Sequence, residues 1–259
     1  MNIDIFIPAR LASSRLPKKH LQKIGGKPLI IHLINRLKKS KKVRKIIVCT
    51  TDKRSDDPLV KILENEKISY FRDSEKDILT RFLNASKHFG TDVIIDVEGD
   101  KIYTDPFFVD LIAEKMQMSD YDWISGNISE TKFSSEKGFP HGVVPVGIRV
   151  TALKKVCELK KTDDTETGYK EFFTSNSMFN CKYLFPDSNL KYPENLRLTL
   201  DYKEDLELAQ EIFSELGPYF DFQDILKLIE RRPELLKITE SAVERWKKFY
   251  KKNVTDYSI

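Results

Sequence analysis

The sequence predicts an α/β protein with a mixed, mostly parallel β-sheet flanked by helices. Three observations lead there. The short apolar runs IDIFI (3–7), KIIVCTTD (45–52), ISYF (68–71) and TDVIIDVEGD (91–100) have the length and β-branched content of strands. Helical patterns separate them, which implies right-handed βαβ units. Charged and turn-forming residues gather just after the first and last of these runs, at the edge where open α/β sheets bind ligands.

The first helix is predicted in PLIIHLINRLKKSK. Pro28 suits a first turn, Leu29, His32, Leu33 and Leu37 recur near helical spacing, and Lys38, Lys39 and Lys41 suit the C-terminal dipole. DPLVKILENEK is the second helix, and DILTRFLNASKHFG is an amphipathic helix closed by Gly90. In DPFFVDLIAEKMQMS, Asp105 is the expected N-cap with Pro106 at the first helical position. WISGN is strand-like, and ISETKFSSEKG is a polar loop. VVPVGIRVTALKKVCELKK is an extended segment entering a helix, and Pro145 predicts that any strand there is irregular or at an edge. Residues 163–195 are rich in Thr, Asn, Ser, Asp and Pro and predict a subdomain or arm beside the sheet. NLRLTLDYKEDLELAQEIFSEL is strand then helix, and from Gly217 onward further helices run to a lysine-rich tail.

The chain of 259 residues suffices for one large domain, or one with a modest appendage. With 44 basic against 40 acidic side chains and no concentrated basic stripe, a nucleic-acid binder is not indicated. Cys49, Cys157 and Cys181 form no CxxC pair, which argues against a zinc knuckle or a disulfide scaffold and for buried thiols in a reducing compartment. MNIDIFIPAR is too short and too soon charged for a signal peptide, and no apolar run nears the roughly 20 residues needed to span a bilayer. A cytoplasmic protein is expected.

Three constellations carry the chemistry. In IPARLASSRLPKKHLQKIGGKPL, Arg10, Arg15 and Lys19 follow the first strand, and guanidinium groups match phosphate oxygens in geometry and charge. The alternative is a merely solvated basic loop. Neither GxGxxG nor GxxxxGK[ST] is present, and Gly25–Gly26 mark a turn. In VEGDKIYTDP, Asp100 follows a strand and suits a metal or a hydroxyl. In LRLTLDYKEDLELA, Asp201 also follows a β-like run; it either caps the next helix or joins Asp100 on one cation. Magnesium prefers such carboxylates together with substrate phosphates. Among the histidines, His32 and His88 are expected to be structural, His20 adjoins the basic loop, and His141 lies in a loop suited to substrate contact. No nucleophilic triad is apparent, since no GxSxG surrounds a serine.

Taken in order, IPARLASSRLPKKHLQKIGGKPLI, KIIVCTTD, FRDSEKDILTRFLNASKHFGTDVIIDVEGD with the following TDP, and RLTLDYKEDLELA resemble the bacterial CMP-sugar synthetases. These include the 3-deoxy-manno-octulosonate and acylneuraminate cytidylyltransferases, and the likeness is nearest in style to the spore-coat polysaccharide SpsF-like branch. The resemblance covers most of residues 3–213 and implies a Rossmann-like nucleotide-diphospho-sugar transferase fold. It implies a nucleotidyltransferase domain over 1–215, with an acceptor-binding and dimerisation arm at about 126–195, and a helical extension over 216–259. It also implies that Arg10, Arg15 and Lys19 embrace the triphosphate of CTP, that the Ser74-to-Arg81 region lies beside the base and ribose, and that Asp100 and Asp201 hold Mg²⁺. An acceptor oxygen then attacks the α-phosphorus and pyrophosphate leaves.

Departures from the family pattern cluster in the acceptor half. GDKIYTDP replaces a GDxPL-like segment, PHGVVPVGIRV replaces a PDG and VEVF-like segment, and DDTETGY replaces an REHVT-like stretch. They nominate Lys101, Tyr103 and His141 as contacts for a small, anionic acceptor. Lys18 stands where relatives commonly have glycine; it either adds a cation near the pyrophosphate or points to solvent. Phe172, Phe173, Met178 and Phe179 supply either a homodimer face or ordinary core. The competing functions are a glycosyltransferase or another sugar nucleotidyltransferase on the same fold, and a non-catalytic nucleotide-binding protein.

Overall fold

The computed structural model describes residues 1–127 and 138–253. The strand-like runs form β1 (Ile3–Pro8), β4 (Ile46–Thr51), β5 (Ser69–Asp73) and β6 (Val93–Asp96). Between them lie α1 (Leu29–Leu37), α2 (Asp57–Asn65) and α3 (Ile78–Phe89). The short strands β2 (Lys23–Ile24) and β3 (Lys27–Pro28) pair across Gly25 and Gly26. Both glycines have positive φ, 55° and 78°, as a tight two-residue hairpin turn requires. Downstream come α4 (Pro106–Met118), β7 (Trp123–Ser125), β8 (Val146–Arg149), α5 (Val150–Leu159), α6 (Glu171–Thr174) and β9 (Cys181–Tyr183). Helices α7 (Lys203–Leu216), α8 (Phe222–Arg231) and α9 (Leu235–Asn253) follow.

Seven strands make one sheet in the order β5-β4-β1-β6-β8-β7-β9. Strand β8 runs antiparallel to both its neighbours, and the other pairings are parallel. The period of two along the strands feeds two cores. Ile3, Ile5 and Ile7 of β1, Val48 of β4, and Val93 and Ile95 of β6 face one side, packed with residues from α1, α2, α4, α7 and α8. Phe6, Ile47, Cys49 and Ile94 face the other, packed with α3 and α5. Helices therefore cover both faces, as a largely parallel sheet needs. Among the described residues, no helix is long and apolar enough to cross a membrane.

Several expectations need correction. The run LRLTL does not join the sheet. Its Leu198 N–H donates to the His141 carbonyl and its Leu200 N–H to the Asp100 carbonyl, both at 3.0 Å, so loops satisfy its backbone. Strand β8 is interior rather than an edge; Pro145 immediately precedes it and so removes no donor from the ladder. Residues 163–195 extend the sheet through β9. Phe172, Phe173 and Phe179 are buried with Trp123 in the core, leaving only Met178 of that group exposed. Helix α8 packs Phe222, Ile225, Leu228 and Ile229 into the same core as β1. Cys49 is buried, but Cys157 and Cys181 are half-buried free thiols. The polar loop foreseen at 128–138 falls almost wholly outside the described residues.

Candidate active site

Strands β1 and β6 are parallel neighbours, so their C-terminal ends open on the same edge of the sheet. After β1 the chain enters the basic loop; after β6 it reaches Asp100. The Leu200–Asp100 backbone bond brings a third segment, ending in Asp201, to the same place. Gly142 permits this approach. Its φ is +95°, and a Cβ there would lie 1.6 Å from the Leu198 carbonyl oxygen.

The predicted carboxylates and cations converge. Lys19 Nζ lies 2.5 Å from Asp100 Oδ2 and 3.1 Å from Asp201 Oδ1. Arg15 Nη2 donates to Asp201 Oδ1 at 2.5 Å, and Arg197 donates to Asp201 Oδ2. Asp201 is not consumed as a helix cap. Asp205 takes that part, accepting from the backbone N–H groups of Asp201 and Tyr202 at 2.8 and 2.9 Å, and from Arg197 at 2.7 Å. Burial opposes charge on Asp201, but Lys19, Arg197 and Arg15 outweigh it and hold the carboxyl well below the usual range. Burial likewise opposes the Lys19 ammonium, while Asp100 and Asp201 hold its pKa above the ordinary lysine value. His20 is buried against the Gly99 carbonyl, and burial with the neighbouring Lys19 pushes its pKa down to about 4.

Arg15, Lys19, His20, Asp100 and Asp201 line a cavity of about 550 Å³. Arg10 is there, paired with Glu75 at 3.5 Å and with Glu166. Arg81 is buried and lines the cavity; its Nη1 donates to the Ser74 carbonyl at 2.7 Å. Ser74 itself is outside the lining and supports Arg81 through its backbone. Burial lowers the Arg81 pKa, an effect the nearby Arg10 adds to. Lys101, 3.3 Å from Glu98, and His141, whose Nε2 lies 2.8 Å from Asn127 Nδ2, also line the cavity. Tyr103 is a correction: it is 1 % exposed, packs in the core 6.4 Å from the Phe220 ring, and does not line the cavity. Lys18 is exposed, outside the lining, and has a φ of +51°. Glycine takes that conformation without strain, which gives a physical reason for glycine in relatives.

Asp100 Oδ1 is buried with no hydrogen-bond partner, an oxygen suited to a hard cation. Among the described residues, no group of three or more His, Cys, Asp or Glu side chains could hold a metal. Two aspartates beside a basic loop fit a cation that takes its remaining ligands from substrate and water.

Sequence reasoning did not find Glu75 and Glu166 as partners of Arg10, nor Tyr169, whose hydroxyl donates to Asp96. It also did not nominate Trp246, Phe249 and Tyr250 as site residues, yet all three line the cavity. Their spacing of three and four residues, which puts them on one helical face, was the available clue.

The sequence model of the family described as "Cytidylyltransferase" matches residues 5–185. The chain is 32% identical over 251 residues to an uncharacterized protein of Methanocaldococcus jannaschii, covering 95% of this chain and 97% of that one. It is 26% identical to the spore coat polysaccharide biosynthesis protein SpsF of Bacillus subtilis, covering 90% and 97%. The solved structure of a cytidylyltransferase from Leptospira borgpetersenii superposes with a TM-score of 0.80 at 25% identity, covering 91% and 97%. With this fold and this constellation of residues, the chain belongs to the cytidylyltransferase family.

Proposed function

We propose that the protein transfers CMP from CTP to an acidic sugar or other small anionic acceptor, with release of pyrophosphate, in surface polysaccharide or glycoconjugate biosynthesis. The observation that carries this reading is the convergence of Lys19, Arg15, Asp100 and Asp201 in a cavity that Lys101 and His141 also line. The 1–215 unit is read as the nucleotidyltransferase domain, and 216–259 as a helical extension whose α8 packs into that domain's core. The enzyme is read as cytoplasmic, with no nucleic-acid partner. A homodimer through the 126–195 region is supported by β9 being the last strand of the sheet, with Phe185 exposed two residues beyond it.

In this mechanism the chain supplies position and charge rather than a nucleophile. Arg10, Arg15 and Lys19 bind the triphosphate and offset charge on the departing pyrophosphate. Arg10 exchanges Glu75 and Glu166 for phosphate oxygens. Arg81 and the Ser74 backbone border the nucleoside. Asp100 and Asp201 would hold Mg²⁺, which when bound neutralises phosphate charge and favours in-line attack. Lys101 and His141 orient an anionic group of the acceptor. The glycosyltransferase alternative needs a carboxylate pair after a strand. Asp96 cannot serve, being buried beneath the Tyr169 hydroxyl and outside the cavity lining.

The test is a product screen with CTP, magnesium and a panel of ulosonic acids, sugar phosphates and phosphonates, read by pyrophosphate release. The H141A variant should raise KM for the productive acceptor and spare CTP affinity. CTP binding without turnover across the panel would favour the non-catalytic alternative. Turnover of a UDP-sugar without pyrophosphate would favour the glycosyltransferase.

A further inference from the structure

Helix α9 reaches the site from the far end of the chain. Its anchor lies on α7 and the residue before it: Ala242, Val243 and Trp246 pack with Tyr202, and Arg245 pairs with Glu204 at 2.6 Å. One turn beyond Trp246, the Phe249 ring centroid lies 4.0 Å from the guanidinium carbon of Arg15. Trp246 itself lies 5.4 Å from the guanidinium carbon of Arg197. These are the two arginines that grip opposite oxygens of Asp201. A guanidinium donates only in its plane, so a ring against its face fixes the plane and leaves the edges for acceptors. On Arg15, Nη2 is committed to Asp201, whereas Nη1 is buried with no hydrogen-bond partner in the wall of the cavity. An unpartnered buried donor is costly, and a phosphate oxygen would relieve it.

We propose that Phe249 is a positioning residue for polyphosphate recognition, holding the plane of Arg15 so that Nη1 is presented to the β- or γ-phosphate of the nucleotide. This rests on the reading of Arg15 as a triphosphate ligand. It makes the C-terminal helix a working part of the nucleotide site. The ring acts through Arg15 and need not touch the nucleotide.

The test is calorimetric titration of the full chain, in magnesium chloride, with CTP and separately with CMP, which lacks the β- and γ-phosphates. Phe249→Leu keeps apolar bulk and removes the aromatic face; Phe249→Tyr keeps the face. The Leu variant should weaken CTP by about 3- to 30-fold, the span of a cation–π contact, while CMP affinity stays unchanged. The Tyr variant should restore CTP affinity. The CTP-to-CMP ratio is internal to each sample, so a loss of folded protein does not alter it. An unchanged ratio in Phe249→Leu, or an equal loss of both nucleotides, overturns the proposal while leaving CTP recognition intact. A parent protein that binds neither nucleotide overturns the CTP reading and this inference with it.

Discussion

Arg10 and Glu166 form an ion pair that joins the loop after β1 to the segment after α5, with Glu75 as a second carboxylate on the same guanidinium. Two segments that line the cavity are thus tied together. On the proposed reading of Arg10 as a phosphate ligand, it must release these carboxylates, which therefore compete with CTP. Glu166→Gln should therefore tighten CTP binding by about 2- to 5-fold, the worth of a partly exposed pair. Titration calorimetry at low ionic strength measures it; weaker binding would show that Glu166 orients Arg10 instead of restraining it.

Asp100 and Asp201 should separate when each is neutralised. Asp100→Asn should keep the fold and raise the magnesium needed for CTP binding by at least about tenfold. Asp201→Asn removes the shared partner of Arg15, Lys19 and Arg197. It should also cost stability, about 1 to 3 kcal/mol, because three cations lose one shared counter-charge while Lys19 keeps Asp100 and Arg197 keeps Asp205. Urea unfolding of both variants, beside magnesium titrations, checks the split.

Lys18→Gly should stabilise the protein by up to about 1 kcal/mol, since a left-handed backbone costs an L side chain and not glycine. CTP affinity should not change. A loss of CTP affinity would place the Lys18 ammonium on the pyrophosphate after all.

What the sequence made legible was whatever local pattern and chemistry determine. The alternation of Ile3, Ile5 and Ile7 against Phe6 assigned β1 and both its faces. Asp100 and Asp201 stood out as carboxylates following β-like runs, and they do converge. LRLTL has the same alternation as a strand, but alternation does not say which backbone groups pair; all five of its residues are buried, and its backbone partners are loops. Tyr103 was misplaced because adjacency to Asp100 in the chain does not say toward which side the ring turns. Glu166 and Phe249 were missed because pairing with Arg10 and Arg15 depends on chain segments that only the folded topology brings together.

Asp96 gives a pH signature. Burial, with Glu98 nearby, pushes its pKa up to about 7, whereas an unfolded aspartate titrates near 3.9. The folded state binds the extra proton, so this group's stabilising contribution is fully present below about pH 4 and is lost as pH rises through about 7. Asp96→Asn keeps an oxygen for the Tyr169 hydroxyl and removes the titration. Its stability relative to the parent, from urea unfolding, should improve between pH 5 and pH 8 (about the limits of easy measurement). A constant difference across that range would show that Asp96 does not titrate there.

The contact between Lys19 and Asp201 spans 182 residues of chain. At a ribosomal pace of about 5–20 residues per second, roughly 10 to 40 s separate the emergence of the lysine from that of its aspartate. Until then the nascent basic loop is a cationic segment lacking one of its two anchors. The part of the cavity wall that Lys19 and Asp201 share is therefore complete only after most of the polypeptide has been made.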